Sequence, residues 1–173
     1  IVTPSAVPAN ALQPSAMVDL AADGTVRSPG VPTSEWRIHA DIYRAIPAAG
    51  AIIHTHSTYA TALAALREDL PAFHYQVAKA GGHSIVCADY APYGTQELSD
   101  AVAVALVDRR ACLMANHGML AYGPDLDSAL ALAIEVETLC RQYLIARSAG
   151  TPVILSVSQM DEAMARFAGY GKA

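Results

Sequence analysis

Residues 50–56 read Gly50-Ala51-Ile52-Ile53-His54-Thr55-His56, a short apolar run ending in two histidines one residue apart. Pro47 and Gly50 break whatever precedes it, and the short length and β-branched pair specify a buried strand rather than a helix. Side chains alternate faces along a strand, so His54 and His56 project together and Thr55 projects oppositely. Two imidazoles so placed can reach one metal ion, and imidazole nitrogen is a favoured donor for zinc and related transition ions. Two exposed or helix-capping histidines would give the same string, so the pattern alone leaves both readings open.

Upstream of this strand, Ser34 is a good helix N-cap, and Ile38, Ile42, Tyr43 and Ile46 recur at helical spacing until Pro47. Glu35 falls in the first turn. A carboxylate there complements the helix dipole, and beside a metal it can also move protons. Thr33 and Ser34 add two hydroxyls to a helix N-terminus, which is a ready anion site. Residues 1–33 are rich in Pro and Ala, with turns at Asp23-Gly24 and Pro29-Gly30 and room for short strands such as Met17–Leu20.

Downstream, helices are expected over Thr58–Leu66, Thr95–Val107 (capped by Thr95, with Glu97 near its positive end), Asp127–Ala146 and Ser158–Phe167. Glu137 and Arg141 in the longest helix have i,i+4 spacing for an ion pair. Ser84–Cys87 and Arg110–Asn116 read as strands, the second interrupted by His117-Gly118. Strands and helices alternate without the even beat of a doubly wound sheet. The expectation is one α/β domain over residues 1–173, a central mixed or antiparallel sheet flanked by helices.

His117 follows an apolar strand just as His54 and His56 end one. Three histidines at the ends of buried strands can make the three-ligand set of a catalytic zinc site; alone, His117 reads equally as a structural histidine. His39, His74 and His83 are solitary in pattern and are read as packing or hydrogen-bonding residues.

Composition bounds the rest. The 173 residues are 53% hydrophobic and 16% charged, against roughly 25% charged in average soluble domains, which excludes a disordered chain. The richest apolar stretch, Ala129–Ile145, is broken by Glu135, Glu137 and Arg141, so no run approaches the ~18 residues of a membrane span. With net charge −5 and only two lysines, Lys79 and Lys172, nucleic acid is excluded as an expected partner. Cys87, Cys112 and Cys140 are widely spaced within apolar runs, and no secretory signal peptide is evident. The expectation is free thiols in a reducing, cytoplasmic setting. So apolar a chain is also expected to hide surface against copies of itself.

Taken in order, Pro32-Thr33-Ser34-Glu35-Trp36-Arg37, His54-Thr55-His56-Ser57, Phe73-His74-Tyr75 with Ala80-Gly81-Gly82, Pro92-Tyr93-Gly94-Thr95 and Asn116-His117-Gly118 resemble the class II aldolase and adducin-like family, its L-fuculose-1-phosphate aldolase branch most of all. The resemblance covers essentially the whole chain. It implies a metal-dependent aldolase that cleaves a ketose 1-phosphate to dihydroxyacetone phosphate and an aldehyde. Zn²⁺, or Mn²⁺ or Co²⁺ in its place, would sit on His54, His56 and His117. Glu35 would be the acid/base carboxylate, and Thr33 and Ser34 phosphate-binding positions. Tyr75 would act across a subunit boundary of a cyclic homotetramer, joined by Tyr170 near the C-terminus. Class I chemistry is disfavoured by the scarcity of lysine.

Aldolases of 5-deoxyribulose or methylthioribulose 1-phosphate would share every motif quoted. Ribulose-phosphate 4-epimerases of this family carry Asp where Glu35 stands, and the non-catalytic adducin-like modules are set apart by loss of the metal triad. Two departures stand out. Family members carry an N-terminal helix and phosphate loop ahead of the point where this chain begins, and Thr3-Pro4-Ser5-Ala6 replaces a Thr-Pro-x-Gly run, which is expected to alter the backbone or the phosphate pocket there.

Overall fold

The structure is a computed structural model that describes residues 1–169. Strand β1 (Ala51–Thr55) lies at one edge of a four-stranded sheet whose order is β1-β4-β3-β2. Strand β2 is short (Cys87–Ala88), and β3 (Ala111–Met114) and β4 (Gly118–Gly123) form a hairpin. β4 runs antiparallel to both β1 and β3, with Thr55 opposite Met119 and Met114 opposite Gly118, whereas β2 and β3 are parallel. The sheet is therefore mixed, as the uneven alternation of elements suggested.

The sequence reading assigns no element to Met119–Gly123, yet these residues form the strand that joins the sheet's two halves. His117-Gly118 does not interrupt one strand; it closes a reversal. Asn116 takes a left-handed φ of +54°, and the His117 N–H donates to the Met114 carbonyl at 3.0 Å. Asparagine tolerates that conformation better than most residues, which lets the chain turn back without glycine.

Each face of the sheet is covered. Ile52, Cys112, Met114 and Leu120 pack on α1 (Trp36–Ala45) and α3 (Gln96–Ala105). Ala111, Leu113, Met119 and Ala121 pack on α2 (Thr58–Ala64), α4 (Leu126–Ala149) and α5 (Val157–Gly169), with a 3-10 segment at Tyr75–Ala80. Met119 and Leu120 are wholly buried on opposite faces; side chains of that size each contribute about 1.5–3 kcal/mol when buried. This alternation fixes register, because a slip of one residue would exchange the two cores.

Several local expectations change. Helix α1 starts at Trp36 with Glu35 as its N-cap, in place of Ser34. The Met17–Leu20 region forms only single bridges, Val2 to Val18 and Leu20 to Val26. Cys87–Ala88 alone is laddered in β2, while Ile85 bridges Leu70. Thr95 caps α3 as expected, its hydroxyl accepting from the Leu98 N–H at 3.3 Å. Glu137 and Arg141 do not pair: Glu137 instead accepts from the backbone of α2, and the Arg141 guanidinium lies over the Tyr59 ring.

Candidate metal centre

The C-terminal end of β1, the β3–β4 turn and the head of α1 meet at one point. His54 lies on the sheet face that Ile52 turns toward α1, and the N-terminus of α1 faces it. Glu35 makes no cap hydrogen bond to its own helix. Its carboxylate reaches His54 Nε2 at 2.8 Å and His117 Nε2 at 3.1 Å. His56 lies just past β1, with its Nε2 at 3.2 Å from that of His54. The three imidazole centroids are 4.8–5.0 Å apart. One donor atom from each of Glu35, His54, His56 and His117 lies within 4.8 Å of every other.

The tautomers favour a cation here. His54 Nδ1 lies 2.9 Å from the Met119 carbonyl, which can only accept, so Nδ1 carries the proton and Nε2 of the neutral ring offers a lone pair. That second contact orients a ligand in the manner of metal sites generally. Glu35 Oε1 is buried and has no hydrogen bond of good geometry, despite the nearby His117. Lone pairs and a carboxylate aimed at one spot, with a buried oxygen unsatisfied, fit a metal ion shared among them.

Electrostatics agree. Burial opposes the charge on Glu35, but the His117 and His54 rings beside its oxygens, and the positive charge those rings can carry, outweigh it and hold the carboxyl far below its usual range. Partial desolvation and then the fields of His54 and His117 push His56 below an ordinary imidazole, toward the neutral form a metal requires.

The cluster is closed on its inner side, with Glu35 only 7% exposed, and opens past His56 into a cavity of about 390 Å³. Ser34 lines this cavity together with Tyr90, Tyr93 and Asn116, whereas Thr33 is not among its walls. The Thr33 hydroxyl instead accepts from the Glu35 N–H at 3.4 Å. Tyr75 is half-exposed at the start of the 3-10 segment and stacks on Phe167 of α5 at 6.0 Å. It lines a second cavity of about 600 Å³, away from the histidines. Tyr170 lies outside the described residues.

Tyr90, Tyr93 and Asn116 receive no role from sequence pattern alone. The available signal was aromatic residues around Pro92 in the loop that follows β2. His74 and His83 are hydrogen-bonding residues, as read: His74 Nδ1 accepts from the Gln76 N–H, and His83 Nε2 lies 2.8 Å from Asp161. Among the described residues no helix is long and apolar enough to cross a membrane.

The family model for the class II aldolase and adducin N-terminal domain matches residues 1–144. A 5-methylthioribulose-1-phosphate/5-deoxyribulose-1-phosphate aldolase of Rhodospirillum rubrum is 43% identical over 171 residues, covering 99% of this chain and 77% of that protein. The L-fuculose phosphate aldolase of Escherichia coli K12 is 40% identical over 172 residues, covering 99% and 80%. A solved L-fuculose 1-phosphate aldolase superposes with a TM-score of 0.91 at 40% identity, over 96% of this chain and 78% of that one. With the histidine–carboxylate cluster intact, and with aldolases as these relatives, the chain belongs to the class II aldolase and adducin family, as one of its metal-dependent aldolases, a lyase.

Proposed function

We propose that this chain cleaves a ketose 1-phosphate of the L-fuculose 1-phosphate type, reversibly, to dihydroxyacetone phosphate and an aldehyde. The observation that carries this is the convergence of His54, His56, His117 and Glu35 at the floor of a cavity whose rim includes Ser34 at a helix start. Zn²⁺ suits three imidazoles best, with Mn²⁺ or Co²⁺ as substitutes. Bound there, the metal would supply Lewis acidity for the negative charge that develops on the ketose oxygens.

The chain's own residues do the rest. As the C3–C4 bond breaks, its electron pair passes into an enediolate on the phosphate-bearing half, and the C4 hydroxyl loses its proton as the aldehyde forms. The phenolate oxygen of a tyrosine, Tyr75 of a second copy or Tyr170, takes that proton and later returns it to solvent. Glu35, a carboxylate at rest, picks up a proton from solvent and passes it to C3 of the enediolate, which completes dihydroxyacetone phosphate and restores the carboxylate. Ser34, on the cavity wall, holds the phosphate at the head of α1, and Thr33 next to it steadies the helix start through the Glu35 N–H. The whole chain, 1–173, acts as one domain of a cytoplasmic homotetramer; the half-exposed Tyr75 and the free cysteines support that setting.

The second substrate reading, 5-deoxyribulose or methylthioribulose 1-phosphate, is supported by the 43% identity to an enzyme of that name. Dihydroxyacetone phosphate release from a panel of ketose 1-phosphates separates the two. Preference for the deoxy or methylthio sugar would replace the first reading, and release from none of them would refute aldol cleavage.

A further inference from the structure

We infer that Glu137, in the middle of α4, is a positioning residue for the metal ligands, acting through α2. Both of its carboxylate oxygens are used on that helix: Oε1 accepts from the Tyr59 N–H at 2.9 Å and Oε2 from the Ala60 N–H at 2.8 Å. These are the second and third residues of α2, the donors a local N-cap would ordinarily satisfy. The local candidate does not serve, because Ser57 makes no cap hydrogen bond and its hydroxyl is buried without a partner. A carboxylate from 77 residues away in the chain takes its place, and no ion pair among the described residues neutralises it. Its charge is thus free to favour the helix N-terminus.

The location gives this cap its meaning. His56 lies beyond the last laddered residue of β1, Thr55, so its backbone is fixed from the other side by the start of α2. The far end of α2 reaches the other ligand turn, where the Ala64 carbonyl accepts from the Asn116 N–H at 3.0 Å, one residue before His117. Helix α2 is therefore a strut between His56 and His117. Its anchor is a side chain of α4, which packs on the sheet through Leu132, Val136 and Leu139. A serine cap would satisfy one of these N–H groups without tying the strut to the core.

This inference rests on the reading of His54, His56 and His117 as a metal site, and the test separates the two. Metal-free protein is titrated with Zn²⁺ against a competing chelator, and melting is followed with and without Zn²⁺. In Glu137→Gln, which keeps the volume and one acceptor oxygen, Zn²⁺ affinity should fall about ten- to hundredfold, and the Zn²⁺-induced rise in Tm should shrink. A purely structural cap would lower Tm equally in both states and leave that rise unchanged, which would overturn the inference, as would Zn²⁺ affinity within about twofold of wild type. Glu137→Asp, with the charge kept and the reach shortened, is held to the same outcomes if the Gln variant does not fold. Wild-type protein that takes up no Zn²⁺ would overturn the metal centre and this inference with it.

Discussion

Glu35 Oε2 lies 2.8 Å from His54 Nε2, although Glu35 stands at the head of a helix where its carboxylate could bond its own backbone. The helix thus gives up a local cap so that its first carboxylate can join three histidines from β1 and the β3–β4 turn. Antiparallel pairing of β1 with β4 makes this possible, because it brings Thr55 opposite Met119 and so sets His54 and His56 beside the turn that holds His117.

Purified protein should carry about one divalent transition ion per chain by elemental analysis, as a three-imidazole site requires. In the His54→Ala, His56→Ala double variant, one imidazole and a carboxylate remain, and occupancy should be nearly lost after dialysis. Full occupancy in that variant would place the metal elsewhere.

Glu35→Gln keeps the side chain's shape and removes its capacity to carry a proton. Tritium or deuterium exchange at the dihydroxyacetone phosphate carbon should fall about 10²–10⁴-fold, the usual worth of a positioned acid/base group. Bound metal should remain, since the three histidines are untouched. Exchange at the wild-type rate would reassign the proton carrier.

Much of this site was legible because strand alternation is a strict rule: His54-Thr55-His56 at the end of an apolar run puts two imidazoles on one side whatever surrounds them. The helix over Trp36–Ala45 was equally legible from Ile38 and Ile42. Strand β4 was not. Gly118–Gly123 is buried on both faces and shows no alternation of polar and apolar residues, so only its partners β1 and β3 define it. Glu137 was misread for a related reason: i,i+4 spacing points to Arg141, but the backbone N–H groups of α2, distant in sequence, offer two aligned donors to one carboxylate.

At Gly118, β4 passes close to the backbone and side chain of the ligand strand. A Cβ there would lie 2.3 Å from the Thr55 carbonyl oxygen and 3.0 Å from His56 Cδ2. Backbone cannot give way as a flexible side chain can, so Gly118→Ala should cost about 1–3 kcal/mol. In Tm this is roughly 2–4 °C per kcal/mol for a chain of this size. The variant should also bind metal more weakly, because His56 must move. Unchanged melting and unchanged metal content would contradict the close approach.

Ala6 stands where the resemblance places glycine, and it keeps the backbone that glycine favours, with φ at +57°. An L-residue there is strained by roughly 1–2 kcal/mol, while glycine's greater freedom in the unfolded chain offsets about 0.5–1 kcal/mol of that relief. Ala6→Gly should therefore stabilise the protein by about 1 kcal/mol or less in urea unfolding. A destabilised variant would mean that this turn carries no strain.

His39 sets an acid limit on stability. Its side chain is packed beside Trp36, Tyr43 and Leu20 around a small cavity. Burial, and then the field of His54, hold its imidazole down from the ordinary 6.5 to about 4. Between those values the unfolded chain binds a proton that the folded chain refuses. The stability this group allows is therefore fully present above pH 6.5, declines as pH falls from there toward 4, and levels off below. A bound metal beside His54 would act in the same direction. In His39→Gln the urea midpoint should fall less steeply than in wild type across that window, with the two profiles running parallel above it. Parallel profiles throughout would show that His39 takes up its proton equally well folded and unfolded.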